Sequence, residues 1–403
     1  MTETLPPKPA PVSFPAARTV LHPAPELAEY RSCPVRPFRY PEGDTGWLVT
    51  SHEHTRELLV SSSAHVFVRP PIRPFAEGDD PNAVGFEERP VHGEFDGDAD
   101  RSDLPLFALN PPHHTRMRRA VAGRFSVKAA EALRPFVEST VEALLDDIEA
   151  GGDTADLVRD VAIPLAVQTT CHFLGLRDPS TWIHTGLDIG GADFKDGGEQ
   201  FLARWDREVA WLRGHPNDGL LSHMLANESL SAAEVLAIGL EVVTAGQHTT
   251  VGAMGLGCAI LLDEGREWWD RLGSDPGVAP AVVEELLRFT TVFHHGANTR
   301  VATEDFVLGD ERIAAGDFVF ASLSAANRDP RTSNDPTTST PDAIPAPTWP
   351  SVSESISAWV STSPDSNSRP RSDDSPRGSP GCGCSDPSSN WTHGTSPPGT
   401  CTA

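Results

Sequence analysis

The longest apolar run in the chain, Glu241–Leu262, reads EVVTAGQHTTVGAMGLGCAILL, and a stable fold has to bury it. It predicts a core helix with a soft spot. Ala245-Gly246 followed by Thr249-Thr250 puts a weak helix former and two β-branched hydroxyl residues in the middle of that helix. A local rule broken at one place in a buried element often marks a functional site. Two readings stay open. The glycine and the threonine hydroxyl can open the hydrogen-bond ladder and leave a small polar notch where a ligand meets the backbone. Alternatively, Gly246 lets a second helix pack closely while the threonines bond back to carbonyls one turn earlier.

Composition narrows the class around that helix. With 403 residues the chain can bury a large core. Its start, MTETLPPKPAPVSFPAART, is polar and broken by prolines, and no apolar run is long enough to span a bilayer. A cytoplasmic protein without a membrane segment is expected. The 6 cysteines follow neither zinc-ligand nor disulfide-framework spacing, and Cys33, Cys171 and Cys258 read as small buried hydrophobes. A formal net charge of -25 argues against nucleic acid as a partner, because binders of phosphate backbones need a basic surface. One basic island, His113–Lys128 (HHTRMRRAVAGRFSVK), stands against that acidity and can steer an acidic partner.

In chain order, residues 1 to 40 are proline-rich and predict an extended surface arm. Gly46–Val49 and His52–Val60 predict a strand and then a helix. Val66–Leu109 is acidic, rich in Pro and Gly and without periodicity, which predicts a long loop region. Helical patterns follow at Thr115–Phe125, Lys128–Glu149, Leu157–Leu174, Phe201–Leu212 and Ala232–Leu262, and a further helix ends in VVEELLR at Arg288. Between Arg300 and Phe320, short β segments turn at Gly309-Asp310 and Ala315-Gly316-Asp317. The fold class is therefore mainly α with a small β portion, in one domain over residues 1–330. Residues 331–403 contain no Leu and no Phe, and Ser, Thr and Pro make up more than half of them. Such a tail buries too little apolar surface to offset its chain entropy, so disorder is expected there.

Three groups of residues carry candidate chemistry. Asn110-Pro111-Pro112 starts a helix on which His114 and Arg118, four apart, share a face and can clamp an anion such as a carboxylate. A plain solvated basic helix would show the same residues. Glu285 and Arg288 are three apart on an amphipathic helix and can pair within it. Arg300 opens a strand, either as a second anion ligand or as a strand-edge charge.

In this order, NPPHHTRMRR, AGQHTT, ELLR, NTRVATED and AANRDP resemble the cytochrome P450 family of haem-thiolate monooxygenases, in its soluble bacterial form. The resemblance runs from about residue 20 to 330. It implies the fold of that family, heme b (iron protoporphyrin IX) as cofactor and a small organic substrate. A ferredoxin and ferredoxin reductase would supply the electrons. It implies that His114, Arg118 and Arg300 hold the haem propionates, and that Ala245, Gly246 and Thr249 form the oxygen-binding groove. Glu285 and Arg288 look like the structural pair that knits the last large helix to the later loops. Arg116, Arg119 and Arg124 become the expected dock for the redox partner. Val66–Leu109 and Leu176–Leu212 are expected to cover the substrate, with Trp182, Trp205 and Trp211 as lid or, more plainly, packing aromatics. His294, His295 and Asn298 either line the pocket or stand exposed. His248 departs from the family, which usually carries an acid before the threonine to help deliver protons; a histidine there can still shuttle them.

The family also requires a loop of the form FxxGxxxCxG, whose cysteine thiolate binds the iron, and this chain has none. Gly378 and Cys382 have the right separation, but no Phe precedes them. Read one base out of frame from Arg331, however, the tail permits DFERPDDFD, then HLAFGFGIHFCVG across Pro347–Ser361, then LARLEL. Two letters are forced by the genetic code: Trp349-Pro350 must give Ala, and Trp359-Val360 must give Gly. The restored cysteine straddles Ser357 and Ala358. The tail therefore reads as the product of a one-base shift near Pro330 or Arg331, with the cysteine loop and last helix missing and no metal ligand assigned in the chain as written. The alternatives are a catalytically inactive truncated product and, more remotely, an all-helical binding protein. Translated in the alternative frame, the coding DNA is expected to run through FGxGxHxC without interruption, and a stop codon there would refute the shift.

Overall fold

The apolar run forms the middle and end of a single 31-residue helix, Ala232–Leu262, and the other elements are arranged about it. The computed structural model describes residues 11–13, 21–39, 45–66, 106–152, 154–182, 194–263, 265–292 and 299–332. The first part comprises β1 (Val12–Ser13), α1 (Glu26–Tyr30), β2 (Val35–Arg39), β3 (Thr45–Val49), α2 (His52–Val60) and β4 (Ala64–Val66). A 3-10 turn at Leu106–Ala108 leads to α3 (His113–Val121) and α4 (Val127–Gly151). A π-helical turn, Val158–Ala162, then runs into α5 (Ile163–Leu174). Next come α6 (Phe194–Gly214), α7 (Leu220–Leu225), α8 (Ala232–Leu262), α9 (Arg266–Ser274) and α10 (Ala279–Thr290). The final elements are β5 (Arg300–Ala302), β6 (Phe306–Leu308), β7 (Glu311–Ile313), β8 (Phe318–Ala321) and α11 (Leu323–Ala326). The architecture is mostly helical with a small sheet, as the sequence pattern predicts.

Several boundaries are set by caps. Ser51 starts α2 by accepting the His54 N–H, and Ser126 starts α4 by accepting the Ala129 N–H. Two helices carry no clear signal in the sequence. The 6-residue α7 is too short for a helical period to emerge, and α9 has only Trp268, Trp269 and Leu272 to carry one. The N-terminal arm needs a larger correction. Residues 26–39 are part of the fold, with Leu27, Val35 and Phe38 buried and β2 paired antiparallel to β3. Its prolines hide apolar positions that the sheet buries. Most of the expected loop Val66–Leu109, together with His294, His295, Asn298, Ser357 and Ala358, lies outside the described residues.

Among the described residues, one six-stranded sheet has the order β1-β2-β3-β8-β5-β4. β3 and β8 run parallel with Trp47 opposite Val319, and Trp47 Nε1 donates to Asp317 at 2.9 Å. β4 and β5 are antiparallel, with Val66 opposite Arg300. This edge of the sheet positions Arg300. No helix among the described residues is long and apolar enough to cross a membrane.

The main core gathers Met117 and Val121 from α3, Val167 and Leu174 from α5, and Ile238 and Val243 from α8. Trp182 and Trp205 are buried in it, stacked on or edged against Phe201, so both are packing aromatics. Trp211 lies at its margin, with the Arg177 guanidinium 4.3 Å from its ring centre. The closest approach is at Gly239, where a Cβ would stand 1.9 Å from the Trp205 ring. Only a residue without a side chain lets α6 and α8 meet there. Gly239→Ala is expected to destabilise the protein by about 1–3 kcal/mol through overpacking. The measurement is a lower urea midpoint at unchanged m; an unchanged midpoint would show that the indole moves aside freely.

Candidate active site

The central helix begins at a capping box. Ser231 accepts the Glu234 N–H at 3.2 Å, while the Glu234 carboxylate accepts the Ser231 N–H at 2.8 Å. The helix then runs uninterrupted through Ala245-Gly246. The open-ladder expectation is therefore not met, and the reason is local: Thr249 Oγ1 donates to Ala245 O at 2.6 Å without displacing the helical path. Gly246 faces α5, where a Cβ would lie 3.1 Å from Thr170 Oγ1. To that extent the packing reading describes this spot. Yet Ala245 and His248 are exposed and Thr249 is half-buried in the middle of the most apolar helix of the chain. These three positions, spaced i, i+3 and i+4, share one face. The helix thus presents a small, partly polar surface where its composition would call for burial.

Arg118 and Arg300 supply positive charge in the interior. Arg118, on α3, has its Nε sealed from solvent with no hydrogen-bond partner, and burial pushes its guanidinium below the ordinary arginine value. Arg300, on β5, also has a sealed Nε without a partner, although a terminal nitrogen donates to Ala64 O at 3.1 Å. Burial pushes it down to about 10, so it remains a cation at neutral pH. No described carboxylate forms an ion pair with either. Both residues are half-buried, and a sealed N–H without an acceptor is a costly group that an added anion could satisfy. His114, one turn before Arg118, is buried on the same helix. The strand pairing also brings in His65, which the sequence did not mark. Its imidazole is held below its ordinary value by burial first and by the Arg300 charge second.

The remaining candidates are fixed by well-made contacts. Arg288 donates through Nε and a terminal nitrogen to the two oxygens of buried Glu285 at 2.7 and 2.6 Å, and donates to Asn327 O at 2.8 Å. This ties α10 to the turn after α11. In the basic island, Arg116 forms an ion pair with Glu234 and donates to Ser229 O at 2.8 Å. Its guanidinium fastens α3 to the start of α8, which leaves exposed Arg119 and half-buried Arg124 as the cations of the docking expectation.

Glu241 is a second residue that the sequence did not single out. It lies one turn before Ala245 on α8 and is only 6% exposed. Burial pushes its carboxyl up to about 8, partly offset by the backbone N–H groups of Leu106 and Phe107. The available signal was an acid inside an otherwise apolar run.

The donor set fits a planar cofactor with two carboxylates on one side: Arg118 and Arg300 carry the unmatched charge that haem propionates would meet. None of the described cysteines stands in the FxxGxxxCxG setting of the family's thiolate. Burial pushes the Cys171 thiol up to about 12 and raises that of Cys258, while Cys33 Sγ donates to Val35 O at 3.6 Å.

Comparison with known proteins bears on the family. Nocardicin C N-oxygenase of Nocardia uniformis subsp. tsuyamanensis is 32% identical over 334 residues, spanning 78% of this chain and 77% of that protein. Cytochrome P450-SU2 of Streptomyces griseolus is 30% identical over 76% of this chain and 74% of its own. The solved structure of Streptomyces peucetius CYP105P2 in complex with a biphenyl compound superposes with a TM-score of 0.70 at 28% identity, covering 84% of each chain. No protein-family model matches the chain. With its fold and these relatives, the chain belongs to the cytochrome P450 family of haem monooxygenases.

Glu241 makes a prediction about pH. Its pKa is raised on folding from 4.5 to about 8, so the folded protein holds a proton that the unfolded chain releases between those values. The stability it contributes is complete below the lower value and is lost as pH rises through the upper one. Replacing it in Glu241→Gln should remove a slope of up to about 1.4 kcal/mol per pH unit across that window. Urea midpoints of wild type and variant should therefore diverge with pH and then run parallel. A difference independent of pH would refute the shift.

Proposed function

We propose that this protein is a haem-dependent monooxygenase of cytoplasmic type, inserting one oxygen atom of O2 into a small organic substrate with two electrons from a ferredoxin-type partner. The observation that carries this reading is the pair of sealed, partnerless Nε atoms on Arg118 and Arg300. Arg118, Arg300 and His114 would hold the propionates of heme b, and the bound haem would supply the redox and oxygen-activating chemistry. Ala245 keeps its face of α8 small enough for a diatomic molecule to approach, and Gly246 lets α5 pack closely behind it. Thr249 holds a hydroxyl proton against Ala245 O, and His248 stands beside it as a group able to exchange protons with solvent. Arg119 and Arg124 offer positive charge for an acidic electron donor, so reversing both charges should slow reduction without altering substrate binding.

A second reading has its own support. The chain as written lacks the FxxGxxxCxG loop, and of the three described cysteines Cys171 is buried while Cys33 and Cys258, expected to be buried, are half-exposed. On that reading this product is catalytically inert, and the active protein requires the cysteine that would straddle Ser357 and Ala358.

Two measurements test these readings. The reduced, carbon monoxide-bound spectrum of the chain as written should lack a thiolate-type Soret band, whereas protein with the alternative tail frame should show one. A thiolate-type band from the written chain would sink the claim that its proximal ligand is missing. Arg118→Met should weaken hemin binding while leaving the stability of the haem-free protein within about 1 kcal/mol of the wild type. Unchanged hemin affinity would remove Arg118 from the propionate site.

A further inference from the structure

The segment leading into α3 is held at two points. At one end, Glu241 of α8 accepts the Leu106 N–H at 2.6 Å. At the other, Asn110 Oδ1 accepts the Val66 N–H at 2.9 Å while its Nδ2 donates to Val66 O at 2.8 Å. Between them Leu106 and Leu109 are buried in the cluster that contains Met117 and Ile238, and Leu109 N–H closes the turn on Leu106 O at 3.2 Å. The His114 N–H then donates to Asn110 O at 3.0 Å, so α3 starts directly from the pinned residue. Val66 in turn stands opposite Arg300 across the β4–β5 pair. One short segment therefore links three elements: the helix carrying Ala245 and Thr249, the helix carrying Arg118, and the strand carrying Arg300.

We propose that Glu241 is a positioning residue that hangs the 106–110 segment from α8 and thereby sets where Arg118 stands relative to Arg300. The proposal rests on the haem reading only for what the two guanidiniums hold. The role of Glu241 is that of a neutral acceptor. Burial keeps its carboxyl protonated at neutral pH, and one oxygen is enough to receive the Leu106 N–H. Glutamine supplies the same neutral acceptor at the same reach. Leucine fills similar space but leaves a buried N–H unsatisfied against the core.

The test uses the full chain as wild type, Glu241→Gln and Glu241→Leu, read by hydrogen–deuterium exchange at neutral pH. Amides of residues 106–110 should exchange about tenfold faster in Glu241→Leu, as expected for an unsatisfied buried donor, and return to the wild-type rate in Glu241→Gln. A peptide from α9 serves as the control and should not change. Wild-type protection in Glu241→Leu, or equal loss in both variants, would overturn the proposal. If Glu241→Leu does not fold, Glu241→Gln decides alone: retained protection supports the neutral acceptor, and lost protection rejects it. Hemin titration of the same proteins, followed by tryptophan quenching, reads the consequence for the cations. Binding should weaken about tenfold in Glu241→Leu and recover in Glu241→Gln. Equal hemin affinity in all three would overturn the positioning of Arg118. Wild-type protein that takes up no hemin would instead favour the reading in which this chain is inert, and the exchange rates would still decide the tether.

Discussion

A helix as apolar as α8 is stable only when other elements close over it, and how near they come is fixed by its small residues. At Gly239 the Trp205 ring occupies the space of a Cβ, and at Gly246 the Thr170 hydroxyl stands within contact range. Lower on the same helix, a Cβ at Gly257 would lie 3.2 Å from Leu286 of α10. These approaches bring α5, α6 and α10 onto one axis and give the core its dense packing. They also make the exception legible. The face bearing Ala245, His248 and Thr249 has no such cover among the described residues, although the helix around it is built for burial.

The interior charges divide along the same line. Glu285 and Arg288 satisfy each other through two hydrogen bonds, and Arg288 has a carbonyl left over to engage at Asn327. Arg328 donates to the carbonyls of Leu21 and Phe289 and lies 3.9 Å from the centre of the Phe289 ring. These buried cations are compensated and serve the fold. Arg118 and Arg300 each keep a sealed Nε without an acceptor. Arg36 keeps a sealed Nε in the same way, so what sets Arg118 and Arg300 apart is the sequence motifs they stand in rather than the open atom itself.

Much of this was legible in the sequence. The helix over His52–Val60 and the span Ala232–Leu262 follow from caps and apolar periodicity, and the structure reproduces both. The pairing of Glu285 with Arg288 follows from a spacing of three on one helix face. Other features had no local signal. The arm before Arg39 is proline-rich and polar in appearance, yet Val35 and Phe38 are buried where β2 pairs with β3, and Leu27 is buried on α1. Arg116 reads as one of several surface arginines until α8 places Glu234 beside it. His65 becomes a neighbour of Arg300 through strand register alone.

By itself, then, the sequence determined what short-range geometry controls: which segments are helical, which residues share a helix face, and which spacing permits an ion pair. Each depends on residues within about one or two helical turns. Tertiary structure decided which of those groups lose water and what meets them once they do. Arg118 and Arg300 lie far apart in the chain, and Glu241 and Leu106 are 135 residues apart. Desolvation and contact across such separations belong to the assembled core. The sequence displays an arginine or a glutamate; only packing turns the first into an unmatched interior cation and the second into a neutral acceptor.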